Sequence, residues 1–261
     1  NEFLFQNLGF YAVAKTDDVL LMENKKNGIA SFVASLGINS GGVNSVGAES
    51  VPPESAPPEA SGLPAGAVVM NCNPFTRGHQ YLIENAARQC ARLRVFVVSE
   101  NKSAFPADAR YRLVREGTAH IKNVLVHPTG PYLISSATFP DYFLKDSLNA
   151  ASSIQSINTL LDLTIFAEGF AKPLGINRRF VGTEPFDPVT AGYNRQMKEV
   201  LPRFGIEVIE IDRLEEEGEA VSASRVRRLL KEGKLEEIRA LVPETTYDYL
   251  VKNGTPREAE N

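Results

Sequence analysis

Two short segments toward opposite ends of the chain hold the residues best suited to grip a phosphate. Asn71-Cys72-Asn73-Pro74-Phe75-Thr76-Arg77-Gly78-His79 reads as a turn from a strand into a helix. Helix N-termini offer unpaired N–H groups to anions, and in an open parallel sheet ligands lie outside the carboxyl ends of the strands. Gly78 lets the backbone come close to a phosphate there. His79, one turn into the helix mouth, can donate a hydrogen bond to a phosphate oxygen that gains charge as phosphorus becomes five-coordinate. Thr76 can offer its hydroxyl to the same group. Alone, Thr-x-Gly-His also reads as an N-cap threonine followed by a surface histidine. The second segment, Val221-Ser222-Ala223-Ser224-Arg225-Val226-Arg227, places hydroxyls at another helix mouth with guanidiniums one turn in. Alone, Ser222 is a plain N-cap and Arg228 a solvated charge.

Positioning these residues requires a scaffold, and the pattern of apolar runs predicts one. Short apolar runs alternate with helical patterns after residue 66, as in a parallel sheet wrapped by helices. Strands are predicted over 67–71, 94–99, 124–127, 179–182 and 207–211. Leu82, Ile83, Ala86, Ala87 and Cys90 recur at three- and four-residue steps, so 78–90 is predicted as a helix with one face on the sheet. Further helices are predicted over 107–120, 157–171 and 189–201, then from Ser222 to Lys231, with two short ones ending near Asn253. Ahead of these, 3–36 reads as a separate piece with a helix ending at Gly9, a strand over 19–23 and a short helix up to Leu36. Residues 37–66 hold no aromatic, Lys or Arg and are rich in Pro, Gly and Ser. Such a segment buries too little apolar surface to offset its ordering entropy and is expected to be a disordered linker.

Composition narrows the function classes. A net charge of -4 and a pI near 5.6 exclude the cationic field that a general nucleic-acid or anionic-membrane binder needs. Cys72 and Cys90 lack metal-ligand spacing and read as buried free thiols of a reducing cytoplasm. No bilayer-spanning run and no secretory leader is found. The chain opens on Asn1 and the apolar Phe3-Leu4-Phe5 instead of an initiator Met, and is expected to be an excised fragment.

The paired motifs resemble the signatures of the HIGH-motif nucleotidyltransferase superfamily, and the chain as a whole resembles citrate lyase ligase. That resemblance runs through Met70 to His79, Phe96-Val97-Val98, Phe105-Pro106, Ala137-Thr138-Phe139-Pro140-Asp141-Tyr142-Phe143, Arg179-Phe180-Val181-Gly182-Thr183-Glu184-Pro185-Phe186 and Ser222 to Arg227. It implies an α/β fold: a Rossmann-like open parallel five-stranded sheet in the order 3-2-1-4-5, flanked by helices. It also implies a domain plan of 1–36 as the end of an acetyltransferase-like (GNAT) domain carrying Leu8-Gly9-Phe10, 37–66 as linker, and 67–261 as the catalytic domain. The acetyl-CoA pyrophosphate loop of a GNAT domain is absent, so no acetyltransferase activity is expected. Ala109 replaces the family's acidic residue before Arg110, with Asp108 one place earlier, and the Pro/Glu-rich linker is not a family feature.

The implied reaction joins acetate to the thiol of a dephospho-CoA-derived prosthetic group on the acyl-carrier subunit of citrate lyase. ATP is consumed to AMP and pyrophosphate, with Mg²⁺ bound through the phosphates and no protein metal ligands. The resemblance implies that His79 and Thr76 stabilise the α-phosphoryl transition state, while Ser222, Ser224 and Arg227 hold the departing pyrophosphate. Asn73, Phe75 and Gly78 are expected at the nucleotide, and Gly182, Thr183 and Glu184 at its adenine or ribose. Lys102 and Arg110 are candidates for the acetate carboxylate or a phosphate, or for surface solvation. Thr138, Tyr142 and Lys145 are candidates to face the prosthetic arm, with Phe139 and Phe143 as core. Two alternatives stay open: an adenylyltransferase acting on a phosphomonoester such as phosphopantetheine or nicotinamide mononucleotide, and a non-catalytic nucleotide-binding module.

Overall fold

A computed structural model of the chain describes residues 2–38, 62–140, 152–185, 187–216 and 218–254. Most of the expected linker, together with Asp141, Tyr142, Phe143, Lys145 and Phe186, lies outside them. The central sheet has five parallel strands: β3 (Ala65–Met70), β4 (Arg92–Val97), β5 (Val124–Pro128), β6 (Arg178–Gly182) and β7 (Glu207–Ile211), in the spatial order β5-β4-β3-β6-β7. Strands covered on both faces read as continuous apolar runs, which is why these segments were visible in the sequence. On one face Phe96, Val98 and Val181 pack with Phe166, Phe170 and Met197; on the other Val68, Val95 and Phe180 pack with Ile83, Ala86 and Leu113.

The helices are α3 (Arg77–Ala87), α4 (Ala107–Thr118), α5 (Ser152–Thr164), the three-residue α6 (Lys172–Leu174), α7 (Pro188–Val200), α8 (Ala223–Lys231), α9 (Leu235–Ile238) and α10 (Glu244–Asn253). Between α5 and α6, Ile165–Ala171 forms a π-helical stretch where a regular helix was predicted. That wider turn coincides with a close approach: a Cβ added to Gly169 would lie 2.5 Å from Ile29 Cδ1. α8, α9 and α10 form a separate apolar cluster with Phe105 and Val221, closing over the loop that follows β4.

Residues 2–38 pack against this domain. α1 (Glu2–Asn7) leads through Gly9, at φ 87°, into an antiparallel ribbon of β1 (Tyr11–Lys15) and β2 (Leu20–Glu23), followed by α2 (Gly28–Ile38). Ala14, Val33 and Leu36 share the core of the main sheet, and the Phe32 ring packs 5.5 Å from Tyr132 and 6.1 Å from Phe170. β1 was not predicted, because its short sequence faces solvent on most positions and lacks a one-sided apolar repeat.

Candidate active site

The order of strands reverses around β3, with β4 on one side and β6 on the other, and β3 and β6 pair through Gly66–Ala67 and Arg178–Arg179, short of their carboxyl ends, which leaves a switch point where a ligand can enter. The turn after β3 is fixed from beneath. Arg110, fully buried on α4, donates to Asn71 O at 2.9 Å, Asn71 Oδ1 at 2.6 Å, Val98 O at 2.8 Å, Glu100 O at 2.7 Å and Phe105 O at 3.0 Å. Asn73 accepts the Phe105 N–H at 2.9 Å through its side chain. The chain then enters α3 through Thr76, whose Oγ1 accepts the His79 N–H at 3.3 Å, while the Thr76 N–H donates to His79 Nδ1 at 3.1 Å. This reciprocal cap satisfies two donors that the first helical turn would otherwise leave open.

A backbone N–H can only donate, so His79 Nδ1 must accept and the ring proton sits on Nε2. Burial of the ring and the nearby guanidiniums of Arg213 and Arg227 bring the His79 pKa down to about 4. The side chain is therefore a neutral Nε2–H donor at physiological pH. Because the folded value lies below the usual histidine range, the stability that His79 contributes is present above about pH 6.5 and is lost as pH falls toward about 4. An NMR titration of the His79 ring is expected to give a midpoint near pH 4. A midpoint in the ordinary range would refute the neutral donor.

The second motif closes on the first. Ser222 caps α8, its Oγ accepting the Arg225 N–H at 3.1 Å, which leaves the hydroxyl proton available to another acceptor. Arg227 donates from Nη1 to Asn73 O at 2.5 Å and from Nη2 to Ser224 Oγ at 3.0 Å, bridging the two segments directly. Gly78 and Val221 also touch: a Cβ on Gly78 would lie 2.4 Å from Val221 O. Gly78→Ala is thus expected to push the two helix mouths apart, costing about 1–3 kcal/mol of stability. Thermal unfolding checks this, and a wild-type midpoint would mean that the close approach does not hold the two segments together.

Residues 65–250 match the family described as the citrate lyase ligase C-terminal domain. The chain belongs to this family. Citrate (pro-3S)-lyase ligases of Klebsiella pneumoniae, Escherichia coli K12 and Haemophilus influenzae are 38%, 42% and 44% identical to it over 257, 255 and 259 residues. These alignments cover 97%, 95% and 96% of the chain and 68%, 66% and 70% of the relatives. The chain therefore spans about two thirds of their length. The family match begins at β3 and ends within α10, so it takes in both motifs and the whole sheet.

Several expected site residues have other duties in this family member. Arg110 is not a ligand-facing cation, because its guanidinium is directed to main-chain carbonyls and the Asn71 side chain beneath the turn. Phe75 does not line the nucleotide: it is fully buried, packs against Gly117 and lies parallel to the His79 ring at 6.0 Å. Thr76 is buried and its hydroxyl serves the cap, 2.9 Å from His79 Nδ1, so it holds the histidine instead of offering its hydroxyl to a phosphate. Arg225 pairs with Glu219 at 3.2 Å, on the small hairpin of β8 (Glu215–Glu216) and β9 (Glu219–Ala220). Thr138 is fully buried, its Oγ1 accepting the Ser135 N–H at 3.0 Å, so it does not face the prosthetic arm. Lys102 is exposed in the loop after β4. Gly182 ends β6, Thr183 donates its N–H to Ile211 O at 3.0 Å, and the Glu184 carboxylate is engaged by Arg213 and by the Asp187 N–H. Arg213 itself escaped the sequence analysis. Its one signal was its place just beyond the carboxyl end of a predicted strand, which any exposed charge can share.

Proposed function

We propose that this chain, an enzyme of the citrate lyase ligase type, uses ATP to join acetate to the prosthetic thiol of the citrate lyase acyl-carrier subunit, releasing AMP and pyrophosphate. The observation that carries this is the convergence of the two helix mouths, tied by Arg227 to Asn73 and by Gly78 against Val221, around a neutral imidazole flanked by two guanidiniums. Such a set of N–H donors and cations suits a polyphosphate.

Acetate is a poor electrophile because its charge repels a thiolate. Attack of its carboxylate oxygen on the α-phosphorus of ATP forms one P–O bond and breaks another. The electron pair leaves with pyrophosphate, and acetyl adenylate remains. The thiolate then adds to the activated carbonyl and AMP departs. His79 Nε2–H donates to the phosphoryl oxygen as its charge grows, with Thr76 fixing the ring. Arg227, Ser222 and Ser224 hold the departing pyrophosphate, while Asn73 anchors Arg227 and Gly78 gives the phosphates access to the α3 mouth. Gly182 and Thr183 meet the nucleoside across the switch point, and Lys102 attracts acetate or a phosphate from the loop beyond β4.

Mg²⁺ would be carried in on the phosphates, where it would neutralise part of their charge. Residues 1–36 close an acetyltransferase-like unit, 37–66 link it, and 67–261 carry the catalysis. The proposed site of action is the cytoplasm, where ATP is available.

The test is product analysis with ATP, acetate and the acyl-carrier subunit. AMP, pyrophosphate and restored citrate cleavage are expected. ATP–pyrophosphate exchange that requires a phosphomonoester instead of acetate would point to an adenylyltransferase, and ATP binding without turnover would leave only a nucleotide-binding module.

A further inference from the structure

Arg213 lies just past the carboxyl end of β7, with its guanidinium held on one edge and open on the other. Its Nε donates to Thr183 O at 2.6 Å and its Nη2 to the Glu184 carboxylate, which also accepts the Asp187 N–H at 3.1 Å. Nη1 has no partner among the described residues, and the side chain is 27% exposed. The neighbouring Leu214 accepts the Val221 N–H at 2.9 Å, and Val221 is the residue whose carbonyl lies against Gly78. Arg213 is thus stitched between the end of β6 and the mouths of α3 and α8. Its charge is felt at His79, ahead of that of Arg227.

We propose that Arg213 is a second catalytic cation, whose open Nη1 edge donates to a non-bridging oxygen of the ATP α-phosphate, with Glu184 as the group that aims it. This rests on the acid-activating function proposed above. In the step concerned the acetate oxygen bonds to phosphorus and the pyrophosphate oxygen leaves with its electron pair. No proton is transferred, and charge builds on the non-bridging oxygens. A fixed guanidinium stabilises that charge most in the transition state, because it needs no reorganisation when the charge appears. Fixing it is the task of Thr183 O and Glu184. A carboxylate at that place would otherwise repel the triphosphate.

The experiment compares Arg213→Gln, Arg213→Lys and wild type in acetate-dependent ATP–pyrophosphate exchange, alongside NMR titration of His79. Arg213→Gln is expected to lower kcat about 30-fold with the KM for ATP within about threefold. Arg213→Lys should recover part of that loss, and the His79 midpoint should rise above about 4 in Arg213→Gln. Exchange by Arg213→Gln within about threefold of wild type would overturn the proposal, as would a loss confined to KM, which signifies ground-state binding alone. Should Arg213→Gln fail to fold, Arg213→Lys decides: wild-type kcat in a folded lysine variant means that the pre-aimed fork has no role. A wild type without acetate-dependent exchange sinks the underlying function, whereas an active wild type beside an indifferent Arg213→Gln sinks only the role of Arg213.

Discussion

Replacing His79 with alanine is expected to slow acetate-dependent AMP formation by about 10²- to 10³-fold while leaving ATP affinity within several-fold. The split follows from the geometry. In the binding mode proposed above, ground-state ATP keeps other partners: the α8 mouth with Ser222 and Ser224, Arg227 bridging to Asn73, and the α3 N-terminus beside Gly78. The imidazole, unlike the Arg227 cation, is neutral, and it is held by a cap at Nδ1 with its proton on Nε2. A neutral donor gains little from a phosphate oxygen before reaction and more as charge accumulates there, so its removal should appear chiefly in kcat. Losing the cap will also cost about 1 kcal/mol of helix stability, so the comparison should be made well below the unfolding midpoint. His79→Gln separates the two effects, because an amide can still accept the Thr76 N–H. If alanine leaves the rate unchanged, His79 is outside the mechanism.

What could be read from the sequence was local. Each of the five strands starts or ends within about two residues of its expected bounds, since apolar runs buried on both faces mark themselves. Thr76 and Ser222 were recognisable as helix starts for the same reason: a cap is a contact across three residues. What those polar groups do once placed was not legible. Thr76 and Ser222 look alike in sequence, yet the first is buried with its hydroxyl engaged on both sides, while the second keeps a proton to offer. Arg110 and Arg213 are each an arginine beyond a strand or loop. Only the packing of α4 under the β3 turn turns one into a clamp, and only the fold brings the other near enough for its charge to be felt at the histidine. The π-helical stretch meets α2 where Gly169 comes close to Ile29, a contact between residues far apart in the chain that no local periodicity encodes.

Arg110→Met should lower the thermal midpoint by about 8–16 °C. The guanidinium donates to four main-chain carbonyls and one side-chain oxygen while fully buried, and methionine fills similar volume with no donors. Hydrogen bonds from a charged donor contribute about 1.5–3 kcal/mol each, but they share one side chain and will not add in full. A loss of about 4 kcal/mol is the reasonable size, and about 2–4 °C follows from each kcal/mol in a domain of this length. The carbonyls of Asn71, Val98 and Glu100 belong to the carboxyl ends of β3 and β4, so their release loosens the turn that carries Asn73 and Thr76. ATP affinity should therefore fall together with stability, and Arg110→Lys, with a point charge in place of a fork, should recover only part of either. A ligand-binding arginine would behave in the opposite way: its removal would leave the melting temperature near wild type and raise KM for acetate or ATP alone. Calorimetry of the folded variant beside its exchange kinetics distinguishes the two, and an unshifted midpoint would return Arg110 to the substrate.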